Sequence, residues 1–271
     1  MDLSSLLKAL EQFYPYLTAG ALALARITSM MSVMPAFTRL GLTGILQTGV
    51  ALAFSVPLIP LLVDVVAAEP VTIGRLAVLV LKEAALGITI GVALGVPIWA
   101  AEAAGDIVDL QRGSTLAGLL DPSAATETSV TGTLFAVVLV AMFYATGGLQ
   151  LILRTVYDSY GIWPVGSLTP ILSADTGRIV LSLLDDLLSM GVMLAVPLIL
   201  AMLLTDFCLA LVARAAPHMH VFDLSLSIKS FVFVLLLVLY SAFLFHYMEY
   251  DLRWLVGSKD RLELLRGISP Q

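Results

Sequence analysis

Charge is what this chain has least of. Of its 271 residues only 13% are Asp, Glu, Lys or Arg, roughly half the share found in an ordinary soluble domain. With 59% hydrophobic residues and a mean hydropathy of +1.00, too little polar surface remains to coat a water-soluble fold. That excludes a soluble enzyme, a disulfide scaffold and a disordered chain. Cysteine is almost missing: Cys208 stands alone, so an intrachain disulfide or a cysteine-built zinc site has no second ligand. An excess of positive charge is missing too. Fourteen Lys and Arg face twenty Asp and Glu, for a formal net charge of -6, the wrong sign for holding a phosphate backbone, so no nucleic-acid partner is expected. No cleavable export signal is expected in the first residues either. Asp2, Lys8 and Glu11 alternate in sign where a basic stretch would precede a short apolar core, so the first apolar run is expected to be retained.

Long apolar runs are what is present. Crossing roughly 30 Å of hydrocarbon at 1.5 Å per residue takes about 20 residues, and six stretches reach or approach that length. They are Tyr16 to Met34, Ile45 to Val63, Leu76 to Ile98, Val130 to Leu153, Ile179 to Ala213 and Phe222 to His246. Strands of a barrel would alternate apolar and polar residues; these runs do not, and in lipid their backbone groups must be satisfied within the segment. An all-α membrane protein follows. The second run is expected to end at the breakers Pro57 and Pro60, the fourth is free of charge from end to end, and the fifth is too long for a simple span and contains Pro197. The connectors Pro35 to Gly44, Asp64 to Gly74 and Asp158 to Gly177 carry turn residues, the last also Trp163 as an interfacial anchor. Arg253, Lys259, Arg261 and Arg266 make the tail after Met248 the best cytoplasmic candidate.

Arg26, Lys82, Glu83, Asp206 and Lys229 sit well inside these runs. Each would cost about 2.5 to 3.5 kcal/mol at the bilayer centre if it faced lipid. They are therefore expected to face protein, water or one another, either as packing ion pairs or as the lining of a path. Glu83, Gly87, Gly91 and Gly95 recur every four residues, a stripe that lets another backbone come close. The segment from Ala100 to Thr126 is the most polar between two apolar runs. Glu102, Asp106 and Asp109 share one helical face, and Gln111, Arg112 and Gly113 interrupt it. This segment is either an interfacial helix with a solvated acidic face or a re-entrant element packed in a pore.

Catalytic readings are poorly supported. Gly105 and Asp106 supply half of an intramembrane aspartyl-protease element, but Ala103 stands where its first glycine would be. Ser114 has no His base nearby in sequence. His218 and His220 lack the further ligands that a metal site needs, and the glycines at 87, 91 and 95 lack the strand and the Lys-Ser/Thr ending of a nucleotide loop. No enzyme, cofactor or metal is expected.

Lys82-Glu83 leading to Gly87 and Gly91, the run Glu102-Ala-Ala-Gly105-Asp106-Ile-Val-Asp109-Leu-Gln111-Arg112-Gly113, then Leu119-Leu-Asp121-Pro122, and the run from Pro217 through Val221-Phe222 to Ile228-Lys229-Ser230 together resemble the SctT/FliR family. These are inner-membrane export-apparatus proteins of type III secretion systems, and the injectisome branch is the nearer in pattern. The resemblance covers almost the whole chain. It implies a multi-pass subunit of the bacterial inner membrane, partly raised above the bilayer plane. With SctR and SctS it would form the export gate for unfolded substrate proteins, beside SctU and SctV. It also implies an SctR-like part over residues 1–177, including a plug segment at 100–122, an SctS-like helical hairpin over 178–250 and a cytoplasmic tail over 251–271. The plug, about Gly105 to Leu120, would use Gly105, Asp106, Asp109, Gln111, Arg112, Gly113 and Gly118. Lys82, Glu83, Gly87, Gly91, Gly95, Glu102 and Lys229 would serve helix or subunit packing. The alternative from another class is a stand-alone secondary transporter with a path through Arg26, Glu83 and Asp206. Its weakness is that no internal repeat is visible.

Overall fold

The computed structural model describes residues 3–67, 72–113, 129–167, 176–216 and 221–255. Among the described residues every regular element is helical. The order is α1 (Leu3–Val33), α2 (Pro35–Thr38), α3 (Gly44–Ser55), a 3-10 turn (Val56–Leu58), α4 (Ile59–Ala67), α5 (Ile73–Arg112), α6 (Val130–Ala145), α7 (Gly148–Ile162), α8 (Thr176–Ala215) and α9 (Val221–Trp254). Five stretches are long and apolar enough to cross a membrane, or six if the broken pair α6 and α7 counts as one span. The chain is thus an all-α protein of membrane-spanning composition.

Three boundaries differ from those read in the sequence, each for a local reason. Pro57 and Pro60 do not end the second span. Proline lacks an N–H but is tolerated in a first helical turn, so Pro57 sits in the 3-10 turn and Pro60 in the first turn of α4, which runs on to Ala67. The third span does not stop at Ile98. Glu102, Asp106 and Asp109 are compatible with helix, so α5 continues through Pro97 for 40 residues. It stops at Gly113, which adopts φ 83°, a left-handed conformation that only glycine enters cheaply. The Gly113 amide donates to the carbonyls of Asp109 and Leu110, each at 3.1 Å. The fourth run, free of charge, is not continuous either: it breaks at Thr146 and Gly147, where Gly147 has φ 88°. The fifth run is a single 40-residue helix with Pro197 inside it.

The helices form two compact units. One comprises Met1–Gly95, Thr146–Ser182 and Leu255–Gln271, the other Val96–Ala145 and Leu183–Trp254. In the first, α1 packs against α3 and α4, and Leu22, Met30, Met31, Met34, Phe37 and Ile90 are buried. Two glycines of the expected stripe permit this packing. A Cβ at Gly87 would fall on the Ser29 hydroxyl and the Arg26 carbonyl, and one at Gly91 would come within 2.7 Å of the Met30 carbonyl oxygen. Gly95 is buried as well. In the second unit, α6 packs against α9. Val108, Phe135, Leu139, Phe143, Leu198, Met202 and Phe233 are buried there. Gly105 and Gly132 meet at the α5–α6 crossing, where a Cβ on either would strike the opposite helix. Gly191 brings α8 against the Ala100 carbonyl in the same way. Much of α8 and α9 remains apolar and exposed, including Leu200, Leu204, Phe207, Phe231, Val238 and Leu239.

Candidate functional site: the C-terminal end of α5

The last turn of α5 carries three of the expected gate residues, and each is tied to a different helix of the second unit. Asp109 is buried, its side chain 2% exposed. It accepts hydrogen bonds from the Ser129 hydroxyl at 2.7 Å, the Thr131 hydroxyl at 2.6 Å and the Thr131 amide at 3.0 Å. Arg112, one turn on, donates to the same carboxylate at 2.8 Å. Ser129 is also the N-cap of α6, since its hydroxyl oxygen accepts from the Gly132 amide at 2.8 Å. The free amides and positive dipole at a helix start are a natural seat for a carboxylate. Asp109 therefore takes the place of a bound anion at the beginning of α6. A fully buried carboxylate is costly unless its lone pairs are used, and here four donors use them.

Gln111 and Arg112 reach the other two helices. The Gln111 side-chain amide donates to Asp206 of α8 at 3.4 Å, and its backbone carbonyl accepts from Lys229 of α9 at 3.2 Å. Lys229 and Asp206 form an ion pair at 2.7 Å, with the lysine side chain 14% exposed. The Arg112 guanidinium lies 4.8 Å from the centre of the Phe233 ring, a cation–π geometry. Thus α5, α6, α8 and α9 converge on residues 109–112 through polar contacts. Glu102 is half-buried and Asp106 exposed; both lie beside Gly132, the Glu102 carbonyl oxygen 2.9 Å from where its Cβ would stand.

The other expected residues form a separate site in the first unit. Arg26 has no exposed side-chain surface, nor has Glu83, and their ion pair is 2.6 Å long. The remaining guanidinium nitrogens of Arg26 donate to the Ser159 hydroxyl at 2.8 Å and the Trp163 carbonyl at 3.0 Å. Its carbon centre sits 3.7 Å from the centre of the Tyr160 ring. Lys82 lies 2.8 Å from the second Glu83 oxygen. Each of the three guanidinium nitrogens has a partner, which offsets the desolvation penalty of the buried charge. Arg26 and Glu83 are therefore paired with each other, and Asp206 with Lys229 in the second unit. The charges that would line a transporter path are used in two separate sets of contacts.

Ser129, Thr131 and Gly132 were not among the expected site residues. A Ser immediately before a charge-free apolar run is an N-cap signal, but its use as the partner of Asp109, twenty residues earlier, is a tertiary fact. Gly118, Asp121, Pro122, Ser114, His218, His220 and the tail beyond residue 255 lie outside the described residues. Among the described residues no three His, Cys, Asp or Glu side chains gather as a metal-ligand group.

The chain matches the family described as bacterial export proteins, family 1, over residues 17–254. It is 36% identical to the Yop proteins translocation protein T of Yersinia pestis over 81% of this chain and 84% of that protein. To the secretion system apparatus protein SsaT of Salmonella typhimurium it is 28% identical over 92% and 97% of the two chains. Identity to the flagellar biosynthetic protein FliR of Caulobacter vibrioides is lower, 26% over 75% and 80%. Coverage of this extent places both the charge cluster and the end of α5 inside the shared region. The chain belongs to the SctT/FliR family of bacterial type III export-apparatus proteins, on the injectisome side of that family.

Proposed function

We propose that the protein is the SctT-type subunit of a type III export gate in the bacterial inner membrane. It joins SctR- and SctS-type subunits around a channel for unfolded proteins, with SctU- and SctV-type components beside it, part of the assembly standing above the bilayer plane. In this reading residues 1–177 are the SctR-like part, 178–250 the SctS-like hairpin and 251–271 a cytoplasmic tail. The exposed apolar faces of α8 and α9 are then shared between lipid and sister subunits, which accounts for helices that bury so little of themselves within the chain. The role is that of a gate and not of a catalyst.

The observation that carries this reading is the convergence of Asp109, Gln111, Arg112 and Lys229 at the end of α5. The plug expected over Gly105 to Leu120 begins on a regular helix. Its helical part, Gly105 to Arg112, is the anchor: Asp109 fastens it to Ser129 and Thr131, the residues at which the described chain resumes. The ends flanking residues 114–128 are thus held together by one carboxylate. Gly105 and Glu102 serve the α5–α6 contact, Asp106 flanks it, and Gly113 and Gly118 supply small, permissive positions at and beyond the helix end.

The test is to remove residues 114–126 while keeping Asp109, Arg112, Ser129 and Thr131. The leak of small ions is then measured in cells that also express the partner subunits. A raised leak with an assembled complex is the expected result. An unchanged leak with an assembled complex overturns the plug reading, and failure to co-purify with any SctR- or SctS-type protein overturns the gate reading itself.

A further inference from the structure

The ammonium of Lys82 is held in an unusual way. Its nitrogen lies 3.0 Å from each of the carbonyl oxygens of Pro164, Val165 and Ser167 and 2.8 Å from a carboxylate oxygen of Glu83. Four oxygens therefore surround a group with only three N–H donors. A directed set of hydrogen bonds would use three partners. A shell of four, three of them backbone carbonyls from one short segment, is instead how a protein replaces the hydration of a compact monovalent cation. Lysine suits such a shell because its charge is a point on a flexible stem, where the flat fork of arginine would not fit. The neighbouring cation completes the arrangement: Arg26 takes the Trp163 carbonyl. Of the five residues from Trp163 to Ser167, four thus aim their carbonyls at a buried positive charge just past the C-terminal end of α7. The negative end of that helix adds to the attraction.

We propose that the segment from Trp163 to Ser167 is a monovalent-cation-binding loop whose ion is built in as the ammonium of Lys82. Its conformation is then set by the cation together with the burial of Trp163 and Val165. A free ion of similar size, ammonium or potassium, should occupy the shell once the side chain is cut away. This concerns the first unit alone and stands whether or not the chain is an export-gate subunit.

The experiment uses the full-length chain purified in detergent, with amide hydrogen exchange read on peptides covering residues 163–167. Lys82→Ala in choline chloride should exchange there about tenfold faster than the parent protein, the loss expected for a charged hydrogen-bond set. Ammonium or potassium chloride at the same ionic strength should return most of the protection, and choline should not. Lys82→Met, whose side chain fills the vacated space, should stay unprotected in every salt. Lys82→Arg keeps the charge but not its shape, so it should be less protected than the parent, and it provides a readout if the alanine variant does not fold. Unchanged exchange in Lys82→Ala, equal rescue by choline, or full protection in Lys82→Arg each overturns the proposal.

Discussion

Thr131 gives Asp109 both of its donors, the hydroxyl at 2.6 Å and the backbone amide at 3.0 Å. One threonine thereby joins the last turn of a 40-residue helix to the first turn of the next described one. Asp109→Asn keeps the shape and removes the charge, leaving Arg112 and the α6 N-terminus without their anion. The expected cost is about 2 kcal/mol. Thr131→Val removes the hydroxyl but keeps the amide, and should cost about 1 kcal/mol. Because the two share a bond, the double variant should lose less than the sum. Thermal unfolding of the purified variants checks this.

Breaking the Arg26–Glu83 pair should be more damaging. Both side chains are completely buried. Glu83→Gln strands Arg26 and takes the carboxylate from Lys82, and should destabilise by about 3 to 5 kcal/mol; Arg26→Leu leaves Glu83 its Lys82 contact and should cost less. Arg26→Leu with Glu83→Gln should lose less than the two singles combined, since their shared ion pair is broken only once. The yield of folded protein in detergent and its unfolding temperature are the measurements.

Helical glycines can be ranked by what surrounds them. Gly87→Ala must displace backbone at Arg26 as well as the Ser29 hydroxyl, so it should cost about 2 kcal/mol or more through overpacking. Gly161 lies in α7 with nothing within 4 Å of an added Cβ. Gly161→Ala should stabilise by up to about 1 kcal/mol through helix propensity. Equal effects of the two substitutions in a thermal-shift series would contradict the close approach of α1 and α5.

Lys229 and Asp206 make a weaker contact, because the carboxylate is 38% exposed. After allowance for solvent screening, Lys229→Met or Asp206→Asn should each cost no more than about 1 kcal/mol. The exchanged pair Asp206→Lys with Lys229→Asp should recover much of any loss in assembly with partner subunits. A Lys229→Met chain that assembles and secretes at the parental rate would remove this residue from the working parts of the proposed gate.

Much of the fold can be read along the sequence, and the exceptions are physical. The apolar runs needed internal backbone bonding, so helices followed; the breaks within them depended on single residues. Gly147 broke a run with no charge, where hydrophobicity alone argues for continuity. Pro57 and Pro60 failed to end a run because each could be placed in a first turn. Glu102, Asp106 and Asp109 share a helical face in the sequence, and in the structure that face continues α5 without a break until Gly113 permits its end.

By itself the sequence determined that this is an all-α membrane chain of the export family, that its few internal charges need partners and that Gly87 and Gly91 admit a neighbouring backbone. Those conclusions need only composition, period and motif. Which partner each charge takes was decided by the tertiary structure alone. Arg26 lies 57 positions from Glu83, Lys229 lies 118 from Gln111 and Asp109 lies 22 from Thr131. Helical periodicity states which face a residue occupies, but not what stands opposite that face. For a buried charge the energy lies in that opposite group.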